Sequence, residues 1–195
     1  MASRRLDEGE RDYRRSLLDG LSGHVLELGA GSGINFRFYP RTVAHVLAIE
    51  PEPVLRHAAV DNAGRAPVPV NVVSGVSAAL PADDETVDAA VASLVLCSVP
   101  DPTRALVELH RVIRRGGELR FYEHVVSQGR SAARLQRLAD ATLWPHMAGG
   151  CHMGRDTLAE IEAAGFSVES CERFSFSPGP PVPRMPHILG IARRV

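Results

Sequence analysis

The chain has 195 residues, of which 45% are hydrophobic and 23% are charged, as is typical of a single globular domain. Its formal net charge of −1 gives no reason to expect nucleic acid or an anionic membrane as a partner. The polar N-terminus is unlike a signal peptide, and no apolar run approaches the roughly 20 residues that span a bilayer. We therefore expect no membrane anchor and a cytoplasmic location. Three scattered cysteines, Cys97, Cys151 and Cys171, are too few for a disulfide framework.

Apolar runs alternate with amphipathic stretches along the chain, which predicts an α/β fold with a mostly parallel sheet. We predict strands at residues 24–29, 43–50, 68–75, 87–99, 117–125, 166–176 and 187–195. We predict helices at residues 4–20, 31–40, 51–64, 101–117, 130–144 and 154–165. The proline-rich segment 177–186 is predicted to be a loop joining two late antiparallel strands.

These elements predict a Rossmann-like three-layer α/β/α sandwich, with a seven-stranded, mostly parallel sheet and an antiparallel last strand. We expect one domain over residues 1–195, with an N-terminal helix within residues 1–20. An insert over residues 125–160 is expected to cover the substrate.

A glycine-rich turn, ELGAGSG at residues 27–33, follows the first predicted strand. Glycines permit a tight turn and the close approach of a ligand, and this position is where α/β sheets bind ligands. A dinucleotide-binding fingerprint would need a glycine where Ile34 stands. A Walker A loop would need a lysine, and the chain contains none. Neither phosphate-binding motif is therefore complete.

Two carboxylates accompany this turn. Glu27 would repel a pyrophosphate and suits a cationic ligand with an amino group. Glu50, at the tip of the second predicted strand, is well placed to accept hydrogen bonds from ribose hydroxyls. Together they favour a positively charged nucleoside without phosphate, as in S-adenosylmethionine. The alternative is a plain strand-to-helix turn with solvated acids.

Four blocks between residues 20 and 125 resemble, in order and spacing, the motifs of class I S-adenosylmethionine-dependent methyltransferases. They are VLELGAGSG, AIEP, GVSAALPADDETVDAAVASLVLCSV and LVELHRVIRRGGELRFYEH. The segments GINFRFYP, SLVLCSV, EHV, LWPHMAGGCHMGRDT and PHILG further resemble the alkyl-thiol S-methyltransferases. The resemblance implies S-adenosylmethionine as cofactor, S-adenosylhomocysteine as product and a small-molecule acceptor, with a thiol sulfur as the acceptor atom. An oxygen or nitrogen acceptor, in a quinone or a natural product, is the alternative.

The resemblance also implies cofactor contacts. The glycine turn and Glu27 would surround the methionine part, Glu50 would bind the ribose, and Tyr13 is a candidate to close over the methionine end. Val76 stands where an acid commonly meets the adenine, so main-chain groups and Ser77 are expected there instead. The predicted cofactor-binding residues are Tyr13, Glu27, Gly29, Ala30, Gly31, Gly33, Glu50, Pro51, Val76, Ser77 and Leu94.

Methyl transfer is an in-line displacement at carbon, so orientation of the reactants supplies much of the catalysis, roughly 7–11 kcal/mol in good geometry. A thiol, with a pKa of about 8.5, needs little assistance from a base to lose its proton, whereas a phenol or alcohol needs more. His124 lies at the end of the fifth predicted strand and is the first candidate base; His146, in a late loop, is the second. For both, a structural histidine is the alternative.

The candidate substrate contacts are Cys97, Trp144, Cys151 and His152. Cys97 lies near the end of the fourth predicted strand, and the alternative for it is a small buried residue without a functional role. The other three lie in a glycine-containing loop that is expected to cover the site. Adjacent Cys151 and His152 cannot easily share one tetrahedral centre with His146, and no Cys-x-x-Cys pair exists, so we expect no metal.

Two other classes of function stay open at this level. A non-catalytic module would bind S-adenosylmethionine or its demethylated product without turnover. An NAD-dependent reductase of the same general fold would bind NAD instead, against the argument from Ile34.

Overall fold

A computed structural model of the protein describes residues 10–142, 144–177 and 184–195. Within these residues, seven strands form one sheet in the order β3-β2-β1-β4-β5-β7-β6. The strands are β1 (Gly23–Leu28), β2 (Val43–Ile49), β3 (Val70–Val73), β4 (Val87–Ser93), β5 (Ile113–His124), β6 (Phe166–Phe176) and β7 (Met185–Arg194). Strand β7 is antiparallel to both neighbours, and the other pairs are parallel. The predicted fold class is confirmed.

Helices flank both faces of the sheet. They are α1 (Arg11–Leu18), α2 (Pro53–Ala63), α3 (Pro102–Val112), α4 (Arg130–Asp140), α5 (Trp144–Met147) and α6 (Thr157–Ala163). Both α2 and α3 begin with a proline behind an acidic cap, whose side chain accepts a hydrogen bond from a first-turn N–H. Among the described helices, none is long and apolar enough to cross a membrane.

Two hydrophobic clusters give the three-layer architecture. Leu26 and Leu28 of β1 pack in the cluster that includes α3, while Val25 packs in the cluster that includes α1 and α2. This alternation follows from the two-residue period of a strand that is covered on both faces. Strand β1 pairs with β2 on one side and β4 on the other, so the crossover direction reverses beside it. The carboxyl ends of β1 and β4 are therefore where a ligand is expected.

The helix predicted over residues 31–40 is wrong in extent, because a single 3-10 turn, Phe36–Phe38, forms there. The side chains of Asn35 and Tyr39 both turn inward, and each donates a hydrogen bond to the Glu27 carboxylate. Pro40 then stops any continuation.

Other boundaries also differ from the prediction. Strand β4 ends at Ser93 rather than at residue 99, because Leu94 adopts a left-handed φ of 57°. The helix predicted to end at residue 117 ends at Val112, and β5 begins directly after it. The helix predicted over residues 130–144 ends at Asp140. Of the predicted N-terminal helix and late loop, residues 4–9 and 178–183 lie outside the described residues.

Candidate functional site

The glycine turn after β1 is tight at one glycine and open at the next. A Cβ on Gly29, whose φ is +61°, would lie 2.3 Å from a methyl carbon of Val95. A Cβ on Gly31, at φ +57°, would meet no atom of the described residues within 4 Å. Two other residues of the turn that were predicted to bind the cofactor, Ala30 and Gly33, are buried. A ligand can therefore approach the backbone closely at Gly31.

Glu50 holds this turn against the tip of β2. Its carboxylate is 5% exposed and accepts hydrogen bonds from the backbone N–H groups of Gly31 and Glu52, at 2.7 and 2.9 Å. The exposed Pro51 offers its carbonyl to Arg56 at 2.8 Å. Each carboxylate oxygen can accept more than one hydrogen bond, so a place for ribose hydroxyls remains beside Gly31. The ribose contact of Glu50 stays a prediction.

Glu27 lies beneath the turn, 1% exposed, in a buried polar network. The Tyr39 hydroxyl and the Asn35 amide each donate a hydrogen bond of 2.8 Å to its carboxylate. Arg14 in turn donates to Asn35 at 2.9 Å and to Ser93 at 3.1 Å. Burial raises the pKa of Glu27 to about 7, against the lowering effects of Tyr39, Asn35 and Arg14. An arriving ammonium group would therefore meet a carboxyl that is only partly ionised at neutral pH.

The predicted adenine side lies after β3, at the same edge of the sheet. Val76 is 54% exposed and forms an isolated antiparallel bridge with Ala79, while Ser77 is half-buried. Their contacts with adenine stay predictions.

The turn after β4 is strained and firmly held. Leu94, half-buried, combines its φ of 57° with a 2.7 Å hydrogen bond from its N–H to the Tyr122 carbonyl. A non-glycine residue in this region costs roughly 1–3 kcal/mol, and such strain clusters at functional sites. Leu94 therefore marks the carboxyl end of β4 as part of the site.

Glu123 of β5 holds the remainder of that turn. Its fully buried carboxylate accepts hydrogen bonds from three consecutive backbone N–H groups, those of Val95 at 3.0 Å, Leu96 at 2.8 Å and Cys97 at 3.0 Å. Burial raises the pKa of Glu123, although these hydrogen bonds oppose the rise. Since its oxygens face the backbone, Glu123 is engaged in shaping the turn.

The fold brings together three of the predicted residues, which come from three separate segments. The His124 Nδ1 atom lies 3.3 Å from the Cys151 sulfur and 3.7 Å from the Cys97 sulfur. The two cysteines are 5% and 1% exposed, respectively. We refer to Cys97, His124 and Cys151 as the Cys-His cluster.

Cys151 and His124 of the Cys-His cluster each shift the pKa of the other. The pKa of Cys151 is lowered to about 5, mainly by the hydrogen bond from Cys97 and further by His124, while burial opposes the shift. Burial lowers the pKa of His124, but the neighbouring Cys151 outweighs it and leaves that pKa raised. Cys151 and His124 therefore resemble a thiolate–imidazolium pair, and Nδ1 of His124 is not a free base.

Part of the predicted insert packs directly on the turn after β4. The backbone N–H of His152 donates to the Cys97 carbonyl at 2.7 Å. The Arg155 guanidinium donates to the carbonyls of Leu96 and Val99, at 2.6 and 2.8 Å. The His152 side chain is half-buried, so its backbone is what ties this segment to the site.

Two other predicted residues lie on the single turn α5. His146 is exposed, and among the described residues no hydrogen bond or ring contact joins it to the Cys-His cluster. Trp144 is half-buried, and its indole N–H has no well-formed hydrogen bond in the described part of the chain. Trp144 adjoins Cys151 and contributes a smaller share to its lowered pKa than Cys97 and His124 do. Trp144 is thus the member of α5 that belongs beside the cluster.

An aromatic stack extends from α1 to the end of β5. Tyr13 stacks on Phe174 with ring centroids 4.1 Å apart and lies 6.0 Å from the Tyr122 ring. Tyr122 stacks on His187, whose ring centroid is 4.4 Å from that of His124. The Tyr122 hydroxyl is buried and has no hydrogen-bond partner among the described residues. Tyr13 therefore reaches the acceptor side of the site through this stack.

Sequence reasoning missed several residues that shape the site: Arg14, Asn35, Tyr39, Tyr122, Glu123 and Phe174. The segment GINFRFYP contains Asn35 and Tyr39, but its pattern predicted a packed helix rather than ligands for a buried carboxylate. Glu123 precedes His124 at the end of a strand that is buried on both faces. A carboxylate in such a strand signals a buried polar role, because an unpaired charge there is costly.

Comparisons with known proteins agree with this geometry. The family model described as a methyltransferase domain matches residues 26–121. The thiol S-methyltransferase TMT1B of Mus musculus is 40% identical over 183 residues, which cover 90% of this chain and 73% of that protein. The TMT1B protein of Homo sapiens is 35% identical over 202 residues, covering 98% of this chain and 80% of that protein.

Among solved structures, a candidate methyltransferase from Bacillus halodurans C-125 has the same fold. The TM-score is 0.77 at 16% sequence identity, with 94% of this chain and 97% of that chain covered. At this identity the likeness shows the fold alone, and function rests on the sequence relatives and the site.

Proposed function

Because the chain belongs to the class I S-adenosylmethionine-dependent methyltransferases, we propose that it methylates the sulfur of a small-molecule thiol. The observation that carries the proposal is the likeness to two TMT1B proteins named thiol S-methyltransferases, at 35% and 40% identity. The proposal extends to this chain the substrate class, a thiol, that the names of those relatives state.

The chemistry of the acceptor side supports this choice. The carboxylate of Glu123 is turned to three backbone N–H groups, and Nδ1 of His124 faces two sulfurs. The Glu123 carboxylate and the Nδ1 atom of His124 are therefore already engaged and are not free to remove a proton from an alcohol or a phenol. A thiol, whose pKa is about 8.5, ionises to the thiolate with little assistance from the protein.

In the proposed reaction the thiolate sulfur attacks the methyl carbon of S-adenosylmethionine. The bond from that carbon to the sulfonium sulfur breaks, and its electron pair stays on S-adenosylhomocysteine. The acceptor's proton passes to solvent, and the product is a thioether. Positive charge on the donor sulfur is lost on the way to the transition state, so an apolar, water-poor site favours the step.

The residues take the following proposed roles. The glycine turn and Glu27 orient the methionine end, and Glu50 binds the ribose. Tyr13 and the aromatic stack close the acceptor side, and the segment from 125 to 160 covers the substrate. Since transfer requires an in-line arrangement, these orienting contacts provide most of the catalysis that the protein supplies.

The test is a methyl-transfer assay against a panel of thiols, phenols and amines, with each product identified by mass spectrometry. We expect thioethers from several small thiols, in amounts that depend on S-adenosylmethionine. Exclusive methylation of oxygen or nitrogen acceptors would overturn the thiol assignment and favour a quinone or natural-product substrate. A thermal-shift control with NAD should give no stabilisation, because Ile34 interrupts the dinucleotide motif.

A further inference from the structure

We propose that Cys97, His124 and Cys151 form a zinc site whose fourth coordination position receives the substrate thiolate. One sulfur or nitrogen atom from each of these residues lies within 4.8 Å of the other two. Among the described residues, no other cysteines, histidines or acidic residues form such a group of three or more. The substrate role rests on the proposed thiol methylation, whereas the metal site itself does not.

The distances fit a zinc ion at the centre of the cluster. Zinc binds cysteine sulfur at about 2.3 Å and histidine nitrogen at about 2.0–2.1 Å, in tetrahedral geometry. The edge between such a sulfur and nitrogen is then about 3.5 Å long. The observed sulfur–nitrogen distances of 3.3 Å to Cys151 and 3.7 Å to Cys97 lie on either side of this value. These two edges would need to change by only a few tenths of an ångström. The two sulfurs lie within 4.8 Å of each other and would have to settle about 3.8 Å apart.

The ligand set favours zinc over harder cations. Two thiolates and one imidazole suit zinc, whereas magnesium and calcium prefer oxygen ligands. Two thiolates also balance the two positive charges of the ion, so the occupied cluster would be neutral. Three protein ligands are the number found in catalytic zinc sites, which keep one position open, rather than in closed structural sites.

Two of the three ligands, Cys97 and Cys151, lie in segments that are held by the surrounding structure, as is common for the ligands of metal sites. Glu123 accepts the Cys97 backbone N–H at 3.0 Å, and His152 donates its N–H to the Cys97 carbonyl at 2.7 Å. Gly150 passes closely over the same turn, because a Cβ on it would lie 3.0 Å from the Ser98 carbonyl oxygen. The loop that contains Cys151 is therefore fixed against the turn that contains Cys97.

The cluster also lies where a methyl acceptor is needed. Cys97 follows β4 and His124 ends β5, at the carboxyl edge that also contains the glycine turn after β1. A substrate thiol that binds the open position would release its proton to solvent and remain as a zinc-bound thiolate. That sulfur would then attack the methyl carbon, with the sulfonium bond breaking toward S-adenosylhomocysteine. The neutral thioether product is a weaker ligand than the thiolate and would dissociate.

The sequence predicted no metal because Cys151 was weighed only with its chain neighbours His146 and His152. The second sulfur and the nitrogen come instead from Cys97 and His124, which are brought in by the strand order. The prediction of no metal is thus replaced by this proposal.

The binding test uses the full chain after removal of metal with a chelator, titrated with Zn²⁺ and, separately, with Co²⁺ as a spectroscopic probe. We expect one ion per chain and, with Co²⁺, the charge-transfer absorption of a thiolate-bound tetrahedral ion. C97S and C151S should each weaken zinc binding by more than about 100-fold, beyond the 10–100-fold loss typical of an outer-shell change. The control is C171S, because Cys171 is exposed on β6 and lies outside the cluster. Circular dichroism and S-adenosylmethionine binding would check that each variant is folded.

The outcomes separate the two proposals. Absence of stoichiometric zinc binding, or equal binding by wild type and C97S, would overturn the zinc site while leaving thiol methylation intact. Thiol methylation at an unchanged rate in chelated protein would overturn the role of the ion in activating the substrate. Zinc binding that needs both cysteines, together with no methylation of any thiol, would support the site and contradict the proposed function.

Discussion

The Glu123 carboxylate and the Cys97 backbone N–H are joined by a hydrogen bond of 3.0 Å, although they are 26 positions apart in the chain. The same carboxylate binds the two preceding N–H groups, so one side chain of β5 determines the path of the turn after β4. Through that path, Glu123 sets the position of the Cys97 sulfur relative to His124. It is a positioning residue, since its oxygens face the backbone and not the acceptor.

Replacement of Glu123 by glutamine should destabilise the protein by roughly 1–3 kcal/mol, because one amide NH₂ would face a buried N–H donor that then loses its acceptor. Urea unfolding at pH 7 measures the free energy of unfolding of the variant and of wild type. The matched control is Glu169→Gln, because Glu169 is an exposed carboxylate of β6 whose partner is Arg193. A loss no larger than that of the control would contradict the role assigned to Glu123.

The strands and the mostly parallel sheet could be predicted from the sequence because each strand has its own local pattern. Buried runs such as residues 43–50 and 87–93 lie between stretches with helical spacing, and this alternation predicts parallel strands and crossovers. The glycine turn was accessible for the same reason, since its residues are contiguous. Local propensity and the overall fold agree at these positions.

The side-chain networks could not be predicted from the sequence, because they depend on contacts between distant segments. Asn35 and Tyr39 both donate hydrogen bonds to the buried carboxylate of Glu27, a tertiary contact that local spacing does not predict. Cys97 and Cys151 meet at His124 from segments on either side of it. No spacing rule relates residues that only the strand order brings together.

The buried carboxyl of Glu27 should make stability depend on pH. Its pKa is raised from 4.5 to about 7, so the folded state binds a proton that the unfolded state has already released in that interval. Stability should therefore fall as pH rises from about 4.5 to about 7, by about 3 kcal/mol at about 1.4 kcal/mol per pKa unit. Urea unfolding of wild type and Glu27→Gln at pH 5 and pH 8 measures the difference. The variant should lose much less stability over this interval, and parallel profiles would refute the assigned pKa.

The same carboxyl should link cofactor binding to proton release. If the ammonium group of S-adenosylmethionine lies near Glu27, it favours the ionised carboxylate. About half a proton should then leave per bound cofactor at pH 7, because the pKa in the free protein is about 7. Calorimetry in two buffers of different ionisation enthalpy measures this number. Glu27→Gln should bind more weakly and release none; unchanged proton release in the variant would remove Glu27 from the cofactor site.

Two alanine substitutions in the glycine turn should separate folding from ligand binding. Both positions have a left-handed φ, which costs an alanine roughly 1–2 kcal/mol. Gly29→Ala should cost roughly 1–3 kcal/mol more, because its Cβ would lie 2.3 Å from a Val95 methyl carbon and force repacking. In Gly31→Ala the added Cβ has no atom of the described segments within 4 Å, so its additional effect should fall on the ligand that approaches there.

The measurements are urea unfolding without ligand and calorimetric titration with S-adenosylmethionine. Gly29→Ala should show the larger loss of stability, and Gly31→Ala the larger loss of cofactor affinity relative to its loss of stability. Equal stability of the two variants would contradict the close approach of Gly29 to Val95. If Gly31→Ala bound the cofactor as tightly as wild type, the open face of the turn would not be the binding face.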